Sequence, residues 1–199
     1  MNRASTVDER RARILQAAIA VLAQDGIAET TTRKIAAKAE VNQAMLRYYF
    51  GSKDDLLFAV LQEMMQQTRE VAQRARPRGK ALRAMLQEGL MSFWEYFEAR
   101  PDLQVMQYEL TLYALRNPDS AWLARQQYDG YCAVVETLFE EAFAATAQSS
   151  AVSFAELARF VIGGLDGLIL QFISNRDPQR ARRDLEHLVN AIIALAEGK

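Results

Sequence analysis

The chain has 199 residues, 24 basic and 25 acidic side chains, one histidine and one cysteine; half of it is hydrophobic, a quarter is charged, and the mean hydropathy is -0.15. That is the composition of a soluble globular protein large enough for a real core, and it speaks against a membrane protein. One cysteine, Cys132, excludes an intrachain disulfide, and one histidine, His187, leaves too few soft ligands for a zinc site, so no metal and no cofactor are expected.

The longest apolar stretch, Phe160 to Ser174, is broken by Asp166 and falls short of the ~20 residues of a bilayer span, so it reads as a buried helix. The N-terminus, with Arg3, Asp8, Glu9, Arg10 and Arg11, has no apolar stretch of the signal-peptide kind, which points to the cytoplasm. The net charge of -1 divides unevenly. Through Asp55 there are nine basic against seven acidic residues, +2, which leaves -3 for the remainder. Any basic surface is therefore local to the N-terminal end.

No run alternates apolar and polar residues with β-branched character, while helical periodicity recurs throughout, so the chain reads as all-α. The first helix starts near Thr6, which has capping-box spacing to Glu9, buries Ile14, Ala17, Ala18, Val21 and Leu22, and ends at Gly26. A second runs from the Thr30, Thr31, Thr32 cluster to about Ala39, and a third from Asn42 to Phe50. Gly51 breaks the pattern, and Ser52 caps a fourth helix from Lys53 to about Ala75, followed by a turn at Arg76, Pro77, Arg78 and Gly79. Pro101, Pro118 and Pro178 each open a segment, and Ser153 with Glu156 forms another capping box. The later segments cover about 80–99, 101–116, 118–147, 153–175 and 178–196. The expected plan is nine helices in two domains: a head of residues 1–52 and a helical body of residues 53–199, joined by helix 53–75.

Between Thr31 and Phe50 two short helices flank a tight turn at Glu40 and Val41, the spacing of a helix-turn-helix. Ala36 permits close approach, and Ile35, Ala39, Val41, Leu46 and Tyr49 face inward. At 100° per residue, Gln43, Ala44, Arg47 and Tyr48 fall on the opposite face of the third helix, free to enter a major groove. There Gln pairs with adenine, Arg with guanine, and Ala or an aromatic edge meets a thymine methyl. Candidate phosphate contacts are Thr31, Thr32, Arg33, Tyr49 and Lys53, the last beside the free amides that begin the fourth helix.

Thr32, Ile35, Ala36, Ala39, Val41, Leu46, Tyr49, Phe50, Lys53 and Leu56 resemble the signature of the TetR family over residues 8 to 60, and the nine-helix plan is similar to that family throughout. Two positions depart from the family pattern: Glu40 stands at its turn glycine and Arg47 at its common recognition-helix tyrosine. Arg47 adds a guanine reader and makes transfer of the family's base contacts at that position unsafe. The stretch Arg100 to Pro118 is similar to a BetI-like subgroup. The resemblance implies a bacterial, cytoplasmic, homodimeric repressor that reads a near-palindromic double-stranded DNA operator and is released by a small-molecule effector. It also implies that the last two helices pair with those of a second subunit. Clustered Gly163, Gly164 and Gly167 agree with a close helix approach, with Leu168, Phe172, Leu188, Ile192 and Leu195 as apolar contacts.

The aromatic-rich middle, which also holds Phe93, Tyr131 and Phe139, supplies candidates for an effector pocket: Trp94, Phe97, Tyr108, Tyr113, Trp122 and Tyr128, with Glu109 and Asp166 as polar anchors. Any one of these aromatics taken alone reads first as a core residue, and either carboxylate is equally a solvated or arginine-paired one. Alternatives to the repressor are an activator of the same fold, a module whose head binds protein, and a helical small-molecule-binding protein or enzyme. No nucleophile is paired with a base, so no catalytic residue and no enzyme are expected.

Overall fold

The computed structural model describes residues 3–74 and 81–199, with side chains from residue 7 onward. Among the described residues there are nine helices and no strand. They are α1 (Arg3–Glu29), α2 (Thr32–Lys38), α3 (Gln43–Phe50), α4 (Lys53–Arg74), α5 (Leu82–Ala99), α6 (Pro101–Arg116), α7 (Ala121–Thr146), α8 (Phe154–Ser174) and α9 (Pro178–Glu197).

Local chemistry sets most of these boundaries. Gly26 breaks α1 with φ 72 and ψ 172, a conformation that side chains disfavour, and its carbonyl accepts a 2.6 Å hydrogen bond from the Thr30 hydroxyl. The Thr31 hydroxyl accepts from Lys34 N and caps α2; the Asn42 side chain accepts from Met45 N and caps α3. Ser153 and Glu156 form the expected capping box on α8. On α9, Asp177 accepts from Gln179 N and Arg180 N just before Pro178, and Gly198 ends the helix in the left-handed region.

Two expected starts differ. Helix α1 already runs through Thr6, so Thr6 does not mark its beginning; the Thr6 side chain lies outside the described ones. Pro118 does not open α7. The Asn117 side chain accepts from Asp119 N, the Asn117 carbonyl accepts from Ser120 N, and the Ser120 hydroxyl donates to the Ala114 carbonyl. These bonds hold Pro118 in a tight turn, and the helix starts only at Ala121. The expected end near Ala75 and the turn at Arg76 to Gly79 lie outside the described residues.

The chain packs as two compact units. The first is Met1–Met64 with Asp102–Arg125, the second Met65–Pro101 with Gln126–Lys199. The helix-turn-helix therefore shares its unit with α6. Ile14, Leu22, Ile35, Leu56, Met106 and Leu110 are fully buried there, each worth about 1.5–3 kcal/mol of burial. In the second unit α9 packs against both α5 and α8, around Trp94, Leu157, Leu185 and Ile192. Helix α8 is long and apolar enough to cross a bilayer by length and composition, yet it begins with a polar cap, carries Arg159 and Asp166, and lies against α9.

Candidate nucleic-acid interface and ligand cavity

Helices α2 and α3 are fixed by a small apolar wedge. Ile35, Ala36, Ala39, Leu46 and Phe50 are buried, while Val41 and Tyr49 are half-buried. The turn between the helices needs a left-handed residue, and Glu40 takes that conformation at φ 54. With the wedge turned inward, Gln43, Ala44, Arg47 and Tyr48 are all exposed on one face of α3. Tyr48 is 80% exposed and stands edge-on to Tyr49, ring centroids 5.2 Å apart. A phenol so far in the open is held by no core contact, and its position beside Arg47 suits an element that meets another surface.

The phosphate candidates divide. Thr31 and Arg33 are exposed and Thr32 and Tyr49 half-buried around the reading face, and Arg33 has no ion pair among the described residues. Lys34 is tied to Asp25 at 2.8 Å. Lys53 is half-buried with its ammonium 3.4 Å from the Ile27 carbonyl. The start of α4 already holds a carboxylate: Asp55 accepts from Ser52 N at 3.0 Å and from the Ser52 hydroxyl at 2.6 Å, while Ser52 Oγ accepts from Asp55 N. These bonds hold the Asp55 carboxyl below its ordinary range. An incoming phosphate would meet Asp55 there, which weakens the expectation that the α4 amides take one.

Two of the effector-pocket candidates make hydrogen bonds within the first unit. Glu109 of α6 accepts a 3.1 Å hydrogen bond from Ile27 N, immediately after the break at Gly26. Tyr113, one turn on, donates to Asp54 of α4 at 2.8 Å, and this bond raises the phenol pKa. Both bonds lie within the first unit, and both tie α6 to elements flanking the reading helix. Tyr108 is half-buried in the same unit, and Trp122 is 56% exposed with its indole donating to the Asp119 carbonyl.

The remaining candidates lie in the second unit at different places. Trp94 and Phe97 are core residues; the Trp94 ring meets Phe172 edge-on at 5.3 Å, and its buried Nε1 has no acceptor among the described residues. Tyr128 hydrogen-bonds Asp166 in an open groove between α7 and α8, where burial and then that carboxylate raise the phenol pKa. Cys132 lines the same groove, its thiol pushed up by burial. Within the second unit, then, Trp94 and Phe97 belong to the core and Tyr128 with Asp166 to the groove. An apolar cavity does exist, between α5 and α7 with α8 and α9 behind it, lined by Leu86, Leu90, Phe93, Leu138, Phe139 and Leu165 among others. Phe93 and Phe139 belong to the aromatic-rich middle, while the aliphatic walls repeat at ordinary helical spacing, as any core does, and are not singled out by the sequence.

The glycine cluster on α8 also separates. A Cβ on Gly164 would come within 2.7 Å of Leu188 Cδ1, so this close approach is to α9 of the same chain. Ile192 is 0% exposed, and Phe172 and Leu188 are also buried within the chain. Within one chain these side chains are already covered, so they offer a second subunit little open apolar surface. Gly163 and Gly167 have open space where a Cβ would stand, and Leu168 and Leu195 are half-buried. Phe160 and Leu170, passed over in the sequence, are 42% and 52% exposed. With Gly163 and Gly167 they form one stripe at spacings of three and four.

The family model described as "Bacterial regulatory proteins, tetR family" matches residues 14–60, and that for the "Tetracyclin repressor-like, C-terminal domain" matches residues 80–195. The chain is 29% identical to the HTH-type nicotine-responsive transcriptional repressor HdnoR of Paenarthrobacter nicotinovorans, over 96% of this chain and 97% of that protein. It is 27% identical to the HTH-type transcriptional regulator BetI of Paraburkholderia xenovorans, over 94% and 95%. Among solved structures, multidrug binding protein EbrR complexed with imidazole superposes with a TM-score of 0.65 at 30% identity, covering 90% of this chain and 89% of that one. A transcriptional regulator from Mesorhizobium loti reaches a TM-score of 0.82 at 16% identity, over 98% of both chains, which speaks for the fold alone.

Proposed function

Because the chain belongs to the TetR family of DNA-binding transcriptional regulators, we propose that it is a cytoplasmic homodimeric repressor whose paired α3 helices read the half-sites of a near-palindromic operator. The observation that carries this reading is the single exposed face of Gln43, Ala44, Arg47 and Tyr48 on a helix whose opposite face is locked into the core. Major-groove readout needs such a rigid, outward polar face. The stripe of Phe160, Gly163, Gly167 and Leu170 supports dimerisation, since glycines with open space let a second helix approach closely. Repression is supported by the relatives, which include a transcriptional repressor matched over nearly its whole length.

A small-molecule effector would release the operator by preferring a conformation in which the paired reading heads no longer fit the DNA, and by no more than its differential affinity for the two states. Helices α4 and α7 each run from one unit into the other, and such coupling would pass along them; within the first unit α6 holds Ile27 N through Glu109 and Asp54 of α4 through Tyr113.

Selection of bound sequences from random DNA, followed by fluorescence anisotropy on the selected duplex across salt concentrations, tests the reading. A two-fold symmetric consensus, with affinity falling steeply as salt rises, is the expected result. Absence of binding at low salt would reject it in favour of a protein-binding or purely ligand-binding role.

A further inference from the structure

Two cavities of the second unit share Leu138 of α7 as a wall. The inner one lies between α5 and α7, is about 70 Å³ in volume, and has no charged or hydrogen-bonding side chain among its lining residues. That is well below the ~150 Å³ that holds a benzene ring, so without movement of its walls it admits only something slender. The outer one, about 290 Å³, is bounded by Arg69, Gln73, Gly130, Val134, Thr137 and Leu138. Leu138 is common to both.

The outer cavity holds a charge without a partner among the described residues. Arg69 of α4 is half-buried and forms no ion pair or hydrogen bond with any described residue. Its guanidinium lies over Gly130, where a Cβ would collide with it. A glycine inside α7 costs about 1 kcal/mol relative to alanine, and here its lack of a side chain leaves the room the guanidinium occupies. A guanidinium is planar, permanently charged and matched in shape to a carboxylate.

We propose that this pair of cavities is a binding site for an amphipathic organic carboxylate, the carboxylate on Arg69 with Gln73 beside it, and a slender apolar body passing Leu138 into the α5–α7 cavity. The lining fits a single occupant with one charged end and one apolar end. A cation is disfavoured by Arg69, and a neutral hydrocarbon leaves the guanidinium unanswered. The site deepens the effector role proposed above and rests on it only for the consequence, release of DNA, not for the binding itself.

The test is calorimetric titration of the full-length protein with three probes of equal chain length: decanoate, decan-1-ol and decyltrimethylammonium. Decanoate binds at least about tenfold more tightly than the other two, as a charge-assisted hydrogen bond at a partly buried site requires. Arg69→Gln removes that advantage and leaves decan-1-ol within about twofold. Gly130→Ala, which keeps the charge but displaces it, weakens decanoate in the same sense. Equal binding of all three probes, tighter binding of the cation, or decanoate affinity unchanged in Arg69→Gln overturns the site. Decanoate that binds through Arg69 yet leaves the anisotropy of the selected operator unchanged overturns its assignment as effector. Failure of the protein to bind any DNA, with decanoate binding intact, counts against the regulator reading alone.

Discussion

Arg47 is the residue on which the proposed reading of DNA sequence turns. It is exposed on the outward face of α3 between Ala44 and Tyr48, with no carboxylate partner among the described residues. A guanidinium so placed reaches guanine O6 and N7, a bidentate pair worth about 1–3 kcal/mol of discrimination. Arg47→Ala should therefore weaken binding selectively at one position of each half-site, seen when every single-base variant of the operator is titrated. Equal loss on all sequences would make Arg47 a phosphate contact instead. Arg33→Ala, by contrast, should lower affinity for every duplex and flatten the salt dependence. Glu40 is the other telling residue. Its φ of 54 is the left-handed turn of a helix-turn-helix occupied by a residue with a Cβ, a conformation that costs roughly 1–2 kcal/mol. Glycine is freer in the unfolded chain, which offsets about 0.5–1 kcal/mol of the relief. Glu40→Gly should then stabilise the protein by up to about 1 kcal/mol in chemical denaturation.

Helix ends show how the elements were specified and where that specification was readable. Ser52 and Asp55 exchange three hydrogen bonds at the start of α4, and Ser52→Ala should cost about 1 kcal/mol, as the loss of a cap does. The effect depends on pH in a defined sense. The Asp55 carboxyl is depressed below its ordinary 3.8, so its contribution is present above that value and fades as pH falls through the lower folded-state one. The gap between Ser52→Ala and the parent should be full at neutral pH and narrow below about pH 4 in urea titrations. Such caps were legible because Ser, Asn and Pro act within three residues of themselves, and Ser52, Asn42, Ser153 and Pro178 do what their spacing implies. Pro118 misled because its neighbours Asn117 and Ser120 close a turn that proline alone does not reveal. Glu109 could not be assigned, since its partner is a backbone N–H 82 residues away. Only its isolation among apolar residues hinted at a role. Glu109→Ala leaves the part-buried Ile27 N–H without an acceptor and should destabilise by about 1–3 kcal/mol, while Glu109→Gln, which keeps an acceptor oxygen, should lose less.

At the scale of the whole molecule, the head was readable because a helix-turn-helix must place inward and outward residues at fixed intervals over twenty positions. The rest was not, because core, cavity and subunit interface all draw on the same apolar residues at the same helical period. Exposure separates them. Ile192, Leu188 and Phe172 are covered by their own chain, whereas Phe160 and Leu170 are not. Large apolar side chains left open in line with Gly163 and Gly167 form the kind of surface that a second copy covers. If this stripe is the seam, Phe160→Glu combined with Leu170→Glu should shift sedimentation from dimer to monomer, because each introduced carboxylate would be buried without a partner in the association. The monomer should retain its helical circular dichroism, since neither side chain is among the buried core residues. It should also lose operator affinity far more than a defect in the head's own contacts explains, because a lone head forfeits the second half-site and with it the gain from linked binding. A protein that stays dimeric with both substitutions places the seam elsewhere. One that becomes monomeric yet binds the full operator undiminished removes the need for paired heads.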